Sequence, residues 1–138
     1  PPAGNRGVGF SRANLFGKHF DDYKNEAQAP MLVAQIEQIG AVENLEGILS
    51  VEGLDAILIG PYDLSASMGC TGQFDDPTFR ETMKRVLELC REHRIPSGIH
   101  IVQPDSKELQ RCILEGYLFI AYSLDSVFLH QFSSIPEV

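Results

Sequence analysis

Short apolar runs alternate with helical patterns along most of the chain. Four runs have the length of a strand, and they cover residues 31–37, 55–60, 97–102 and 118–123. The first run is apolar on both sides, as expected for a strand that helices cover. We therefore predict four strands, with helical segments between them.

The segments between the runs have the period and the end signals of helices. The clearest helix begins after Asp76, which is suited to the N-cap, with Pro77 at its first position. Asp105 and Glu108 form a capping-box pattern that predicts the start of another helix. Further helices are predicted over 11–16, 41–51 and 126–132, and 65–75 is predicted to be a loop.

The order of elements is a βα unit repeated four times. Such repeats with short connections predict an α/β fold with a parallel sheet. A full (β/α)8 barrel takes about 250 residues, so a chain of 138 residues suits its second half, strands five to eight. Three arrangements stay open: a missing amino-terminal half, an open four-stranded sheet, or two chains that combine.

The length suits a single domain over residues 1–138. Within it we predict a loop and short helix over 1–30, the four βα units over 31–132, and a tail over 133–138. The opening Pro1-Pro2-Ala3-Gly4 reads like the middle of a longer protein.

Charge and composition exclude several classes of partner. The formal net charge is −8 and no basic stripe is present, which argues against nucleic acid as a partner. No apolar stretch approaches the ~18 residues needed to cross a membrane. The three cysteines are widely spaced, which favours reduced thiols over a disulfide or zinc site and predicts a cytoplasmic protein.

Two carboxylates follow the first two predicted strands. Glu37 ends the first run, and Asp63 comes after a Gly60-Pro61-Tyr62 turn at the end of the second. The carboxyl ends of parallel strands share one face, so we expect these side chains to converge. Mg²⁺ often takes only one or two protein carboxylates and keeps water and substrate in its other positions. Alternatively, Glu37 caps a helix dipole and Asp63 is a turn residue.

The residues around these carboxylates carry a family resemblance. The motifs are Gln35-Ile36-Glu37, Gly60-Pro61-Tyr62-Asp63-Leu64-Ser65 and Arg6-Gly7-Val8-Gly9. In this order and spacing the chain resembles the 2-dehydro-3-deoxy-sugar-acid and 4-hydroxy-2-oxoheptanedioate aldolases, which are metal-dependent, pyruvate-using (class II) aldolases. The similarity covers nearly the whole chain.

The resemblance implies roles for individual residues. Glu37 and Asp63 match the two metal carboxylates, for Mg²⁺ or Mn²⁺, with Co²⁺ as an in-vitro substitute. Gly60 and Tyr62 match the backbone that holds the pyruvate carboxylate, next to Asp63. The arginine that stabilises the enolate oxygen and the histidine that moves protons belong to the first half in this family, so no catalytic residue is assigned in this chain.

Two further residues have two interpretations each, and a third has a structural one. Gln35 lies alongside Glu37 and either supports the metal site or is a buried structural amide. Ser65 is either the N-cap of a short turn or donates a hydrogen bond to a group that holds the metal. His100 lies within the third predicted strand, where a satisfied core histidine is the simpler interpretation.

The sequence thus predicts a divalent-metal-dependent aldolase that cleaves 4-hydroxy-2-oxo acids to pyruvate and an aldehyde. As an isolated chain it is expected to turn over poorly, because the proton-moving residues lie elsewhere. The alternatives are an acyl-CoA lyase like the citrate lyase β subunit and a non-catalytic half-barrel interaction module. Unpaired sheet edges favour a homo-oligomer or pairing with an amino-terminal half-barrel.

Overall fold

The computed structural model describes residues 7 and 9–133, and the chain forms two compact units, residues 1–31 and 32–138. Arg6 and Val8 of the Arg6-Gly7-Val8-Gly9 motif, the opening Pro1-Pro2-Ala3-Gly4 and the tail beyond residue 133 lie outside the described residues. None of the described helices is long and apolar enough to span a bilayer.

The first unit contains a 3₁₀ segment, Arg12–Gly17, and helix α1, Phe20–Glu26. The buried Asn14 side chain accepts hydrogen bonds from the backbone N–H groups of Ser11 at 2.9 Å and Gly17 at 3.0 Å. The short helix predicted over 11–16 is therefore present as a 3₁₀ segment with Ser11 at its N-cap, and it does not continue as an α-helix. Leu15 and Phe16 have φ values of 49° and 54°, which a continuing right-handed helix does not allow.

The second unit alternates strands with helices. Its elements are β1 (Val33–Ile36), α2 (Ile39–Glu43), α3 (Leu45–Leu49), β2 (Ala56–Ile59), α4 (Pro61–Ser67), α5 (Pro77–His93), β3 (Ser97–Ile101), α6 (Ser106–Glu115), β4 (Phe119–Tyr122) and α7 (Asp125–Phe132). All four strands are parallel, in the order β1-β2-β3-β4. The α/β fold class and the four strands are thereby confirmed, with strands slightly shorter than the apolar runs.

One face of the sheet forms the hydrophobic core with the helices. Ile36 pairs with Ile59, which pairs with Ile99, so their side chains lie on one face. Ile36 and Ile59 have no exposed surface, and Ile99 retains 4%. Fully burying one such side chain stabilises the fold by about 1.5–3 kcal/mol. This row fixes the register, because a slip by one residue would turn every side chain to the opposite face.

The opposite face of the sheet carries less buried side chains. Leu58, His100 and Phe119 are half-buried there, and Gln35 is exposed. The Phe119 ring lies over Gly98, where an added Cβ would be 2.3 Å from Phe119 Cζ. Parallel sheets normally have both faces covered, so this face is incomplete within the described part of the chain.

The local helix signals are partly confirmed. The Asp76 side chain accepts hydrogen bonds from the N–H groups of Thr78 and Phe79 at the start of α5. At α6 the Asp105 side chain accepts from the N–H of Lys107, but the Glu108 carboxylate binds the Arg111 guanidinium. The predicted capping box is therefore only half formed, because a charged donor is the stronger partner.

The predicted helix over 41–51 is wrong in its continuity. Asn44 separates α2 from α3, with φ −104° and ψ 22°. Its side chain lies over Gly47, where an added Cβ would be 2.7 Å from Asn44 Oδ1. Asparagine competes with helix hydrogen bonds, and glycine leaves room for its side chain, so the helix breaks here.

Candidate functional site

The Glu37 side chain lies directly over Gly60. Because Ile36 pairs with Ile59, Glu37 and Gly60 are neighbours at the carboxyl ends of β1 and β2. An added Cβ at Gly60 would be 2.9 Å from Glu37 Cγ and 3.0 Å from Glu37 Oε1. Any side chain at position 60 would displace the carboxylate. Glycine is thus needed here for close approach, since its φ of −98° is open to other residues.

Gln35 supports the Glu37 carboxylate. The two residues are two positions apart, so their side chains share one face of the sheet. Gln35 Nε2 donates a hydrogen bond to Glu37 Oε1 at 3.2 Å. Gln35 is exposed, which argues against its reading as a buried structural amide. A donated hydrogen bond restricts the orientation of a carboxylate and leaves its other oxygen free.

Asp63 lies in the first turn of α4, immediately after β2. Gly60 is the N-cap and Pro61 takes the first helical position, which proline favours. The helix continues to Ser67, so the loop predicted over 65–75 begins later than the sequence indicated. The exposed Asp63 side chain follows Gly60 by less than one helical turn. Asp63 is thus close to Gly60 in the chain, whereas Glu37 reaches Gly60 across the strand pair.

Ser65 holds the Tyr62 backbone in place. It is fully buried, and its hydroxyl donates to the Tyr62 carbonyl at 2.8 Å and accepts from the Gly72 N–H at 3.0 Å. The Tyr62 ring packs edge-to-face on Phe74, with centroids 4.9 Å apart. Ser65 thus acts on the turn before Asp63, and none of its hydrogen bonds within the described residues reaches a carboxylate.

The chemistry of these donors fits a hard divalent cation. Two carboxylates at the ends of neighbouring strands leave coordination positions for water and substrate, as Mg²⁺ commonly requires. A structural zinc site would instead need four side-chain ligands. Within the described ranges, no three His, Cys, Asp or Glu side chains are grouped so that they could hold a metal ion.

The buried cysteines do not contribute metal ligands. Cys90 and Cys112 are free thiols with at most 1% of their surface exposed. Burial raises the pKa of each thiol to about 11, so both stay protonated at neutral pH. A metal-binding cysteine needs the thiolate, which these sites disfavour.

His100 does not belong to the hydrophobic core, contrary to the prediction. Ile99 and Ile101 face the helices, so His100 faces the other side of the sheet. There it lies in the cross-strand row of Glu37 and Gly60. Its Nε2 is 3.3 Å from the Ser123 carbonyl oxygen. In the sequence, the signal for this orientation is the alternation of the polar His100 with Ile99 and Ile101.

A cavity of about 630 Å³ opens beside this end of the sheet. It extends from Pro61 and Tyr62 past His100 to the space between α5 and α6. Its walls include the buried Phe79, Leu87 and Tyr117. Its volume is typical of small-molecule sites, but Glu37, Gly60 and Asp63 are not among its lining residues, so this cavity is not the space around the candidate carboxylates.

Comparison with known proteins gives consistent matches over nearly the whole chain. The family model for HpcH/HpaI aldolase/citrate lyase matches residues 2–131. The chain is 34% identical over 126 residues to the 5-keto-4-deoxy-D-glucarate aldolase of Escherichia coli O157:H7, which covers 91% of this chain and 48% of that protein. It is 36% identical over 132 residues to the 2-keto-3-deoxy-L-rhamnonate aldolase of Salmonella schwarzengrund, and this match covers 92% of this chain and 48% of that protein.

Solved structures give the same picture. The crystal structure of an HpcH/HpaI aldolase/citrate lyase family protein from Burkholderia cenocepacia J2315 matches with a TM-score of 0.73 and 30% identity. The match covers 94% of this chain and 50% of that one. The chain therefore spans about half the length of the relatives it matches.

Proposed function

Because this chain belongs to the HpcH/HpaI aldolase/citrate lyase family, we propose that it carries the metal and pyruvate site of a class II aldolase. The reaction is the cleavage of a 4-hydroxy-2-oxo acid to pyruvate and an aldehyde. The observation that carries this proposal is the placement of the Glu37 carboxylate over Gly60, close in sequence to Asp63. The family is generally dependent on a divalent metal, and the oxygen donors here favour Mg²⁺ or Mn²⁺.

We further propose that the four strands are the second half of a (β/α)8 barrel. Three observations support this: the parallel order of the strands, the half-buried face opposite the core, and the match to about half of each relative. Four more strands would cover that face and pair with β1 and β4, which are the sheet edges. They would come from an amino-terminal half or from another chain.

The mechanism assigns each residue one task. When bound, the divalent ion acts as a Lewis acid that offsets the negative charge developing on the keto oxygen. Glu37, oriented by Gln35, and Asp63 would hold that ion. Tyr62 would present its backbone N–H to the pyruvate carboxylate, and the Ser65 hydroxyl fixes that backbone. No described residue is assigned to proton transfer.

Substrate class, location and assembly follow from the same reasoning. The named activities of the relatives concern keto-deoxy sugar acids, and we propose substrates of this class. The protonated, unpaired thiols of Cys90 and Cys112 support a reducing, cytoplasmic location. The unpaired edges of β1 and β4 favour a homo-oligomer or a partner half-barrel.

Calorimetric titration with pyruvate tests the proposal. We expect the chain to bind pyruvate in the presence of Mn²⁺ and not after metal removal by a chelator. Glu37→Gln should abolish this binding, because it removes a carboxylate ligand. Glu43→Gln, on the exposed surface of α2, is the matched control and should bind as the parent does. Pyruvate binding that is unchanged both without Mn²⁺ and in Glu37→Gln would contradict the proposal.

A further inference from the structure

We propose that His100 contacts the substrate and binds a hydroxyl group on the carbon chain beyond the pyruvate unit. The inference rests on the proposed function, because it needs the pyruvate unit to sit at Glu37, Gly60 and Tyr62. It adds a residue that selects hydroxylated 2-oxo acids over plain ones.

The position of His100 supports this role. His100 follows Ile99, which pairs with Ile59, so it is the neighbour of Gly60 in the next strand. Adjacent strands are about 4.8 Å apart, which places His100 roughly 10 Å across the sheet from Glu37 at the backbone. That separation leaves room for a chain that extends from a bound pyruvate unit.

The hydrogen bond of His100 fixes what its other ring nitrogen can do. The Ser123 carbonyl can only accept, so the Nε2 atom at 3.3 Å from it carries the hydrogen. In the neutral ring Nδ1 is then a free acceptor. The side-chain hydrogen bond of His100 within the described residues is made by Nε2, and Nδ1 is not among the buried atoms without a partner, so Nδ1 is open to a ligand. A free acceptor pairs with a hydroxyl donor, and it disfavours a carboxylate or carbonyl oxygen.

The end of β4 is shaped to present that carbonyl. Ser123 has a φ of 63°, a left-handed conformation that a non-glycine residue rarely adopts. Its N–H donates to the Ile101 carbonyl at 2.6 Å, which anchors it to β3. Its own hydroxyl is buried without a partner in the described part of the chain. Strain and an unpaired buried group together are typical of functional positions.

A pair of ligands that differ by one hydroxyl group isolates the contact. The Mn²⁺-loaded chain is titrated with 2-oxopentanoate and with 4-hydroxy-2-oxopentanoate, and the ratio of the two affinities is the readout. We expect the parent to prefer the hydroxylated ligand by roughly tenfold, the value of one net hydrogen bond. If the hydroxylated ligand is cleaved, KM and kcat replace its affinity, and the preference should lie in KM.

Two variants of His100 separate the contact from the fold. His100→Gln keeps an amide N–H near the position of Nε2 but has no acceptor near Nδ1, so it should lose the preference. His100→Asn places an amide oxygen near Nδ1 and should retain it. Both should bind 2-oxopentanoate as the parent does. His93→Gln, on the exposed end of α5 outside the cavity, is the control for replacing a histidine.

The outcomes distinguish this inference from the proposed function. Loss of the preference in His100→Gln and its retention in His100→Asn would support the contact. An unchanged preference in both variants, or an equal loss of affinity for both ligands, would overturn it and leave the proposed function standing. If the parent binds neither 2-oxo acid in the presence of Mn²⁺, the proposed function fails and this inference fails with it.

Discussion

Replacing Gly60 by alanine tests whether the site depends on the position of the Glu37 carboxylate. The added methyl group would lie 2.9 Å from Glu37 Cγ and 3.0 Å from Glu37 Oε1, closer than real Cβ contacts allow. The backbone itself accepts alanine, since φ at Gly60 is −98°. The Glu37 side chain must therefore rotate away, while the strand stays in place.

The expected changes in stability are small and opposed. Gly→Ala at a compatible backbone position stabilises by about 0.4–1 kcal/mol through the unfolded state. A side chain forced about 30° off its rotamer costs about 0.5–1.5 kcal/mol. The net change in the free energy of unfolding should thus stay within about 1 kcal/mol. Moving a ligand should in contrast weaken metal binding by at least the roughly 10–100-fold seen for lost outer-shell partners.

The assay measures Mn²⁺ affinity by paramagnetic resonance of the free ion, with thermal unfolding of the same samples. At a Mn²⁺ concentration of about 100 times the parent Kd, bound metal adds about 2.7 kcal/mol to the stability of the parent. Gly60→Ala should lose most of this gain and resemble the parent without metal. Gly40→Ala is the control, because an added Cβ there meets nothing within 4 Å. Parent-like Mn²⁺ affinity in Gly60→Ala would refute the role of Glu37.

Three further predictions concern the scaffold around the site. Gly98→Ala places a Cβ 2.3 Å from Phe119 Cζ and should lower the free energy of unfolding in urea by about 1–3 kcal/mol. The double variant Gly98→Ala/Phe119→Ala should recover stability, and no recovery would show that the ring is not the cause. Ser65→Ala leaves the Gly72 N–H without its partner and should lower the free energy of unfolding by about 1–3 kcal/mol. Ser50→Ala, at an exposed residue, should lower it less, and equal losses would contradict the role of Ser65. The hydrogen bond from Arg111 lowers the pKa of Glu108 below its usual 4.5, so the stabilisation is present above that pH and is lost as the pH falls through the folded pKa. Glu108→Gln should therefore lower the Tm at neutral pH, by an amount that shrinks as the pH is lowered below 4.5; a difference that is independent of pH would be contrary to this.

The parts of the fold that sequence predicts best are those that depend on near neighbours. The start of α5 was predictable because the Asp76 side chain and Pro77 act within one helical turn. The four strands were predictable because each apolar run has the length of a strand and is followed by a helical pattern. The break at Asn44 was not, because Val42 and Leu49 fit one continuous helical period as well as two short helices. Only the contact of Asn44 with Gly47 distinguishes them.

The candidate site also has features that the sequence predicts and features that depend on tertiary packing. The two carboxylates were proposed as ligands because parallel strands end on one face, a rule that needs no atomic detail, and their shared role stays a prediction. The contact between Glu37 and Gly60, and the hydrogen bond from Ser65 to the Tyr62 carbonyl, depend on tertiary packing that no spacing reveals. His100 was interpreted as a core residue because it lies within the third predicted strand. Its orientation became clear only from the burial of Ile99 and Ile101.

The central claim is that Glu37 and Asp63 bind one divalent ion together. A double-mutant cycle on Mn²⁺ affinity, with Glu37→Gln, Asp63→Asn and the double variant, tests it most directly. We expect one ion per chain and a loss of Mn²⁺ affinity of at least about tenfold in each single variant. The double variant should bind Mn²⁺ no more weakly than the weaker of the two single variants, because ligands of one ion act as a unit. Additive losses, or a loss confined to one of the two residues, would contradict a shared ion.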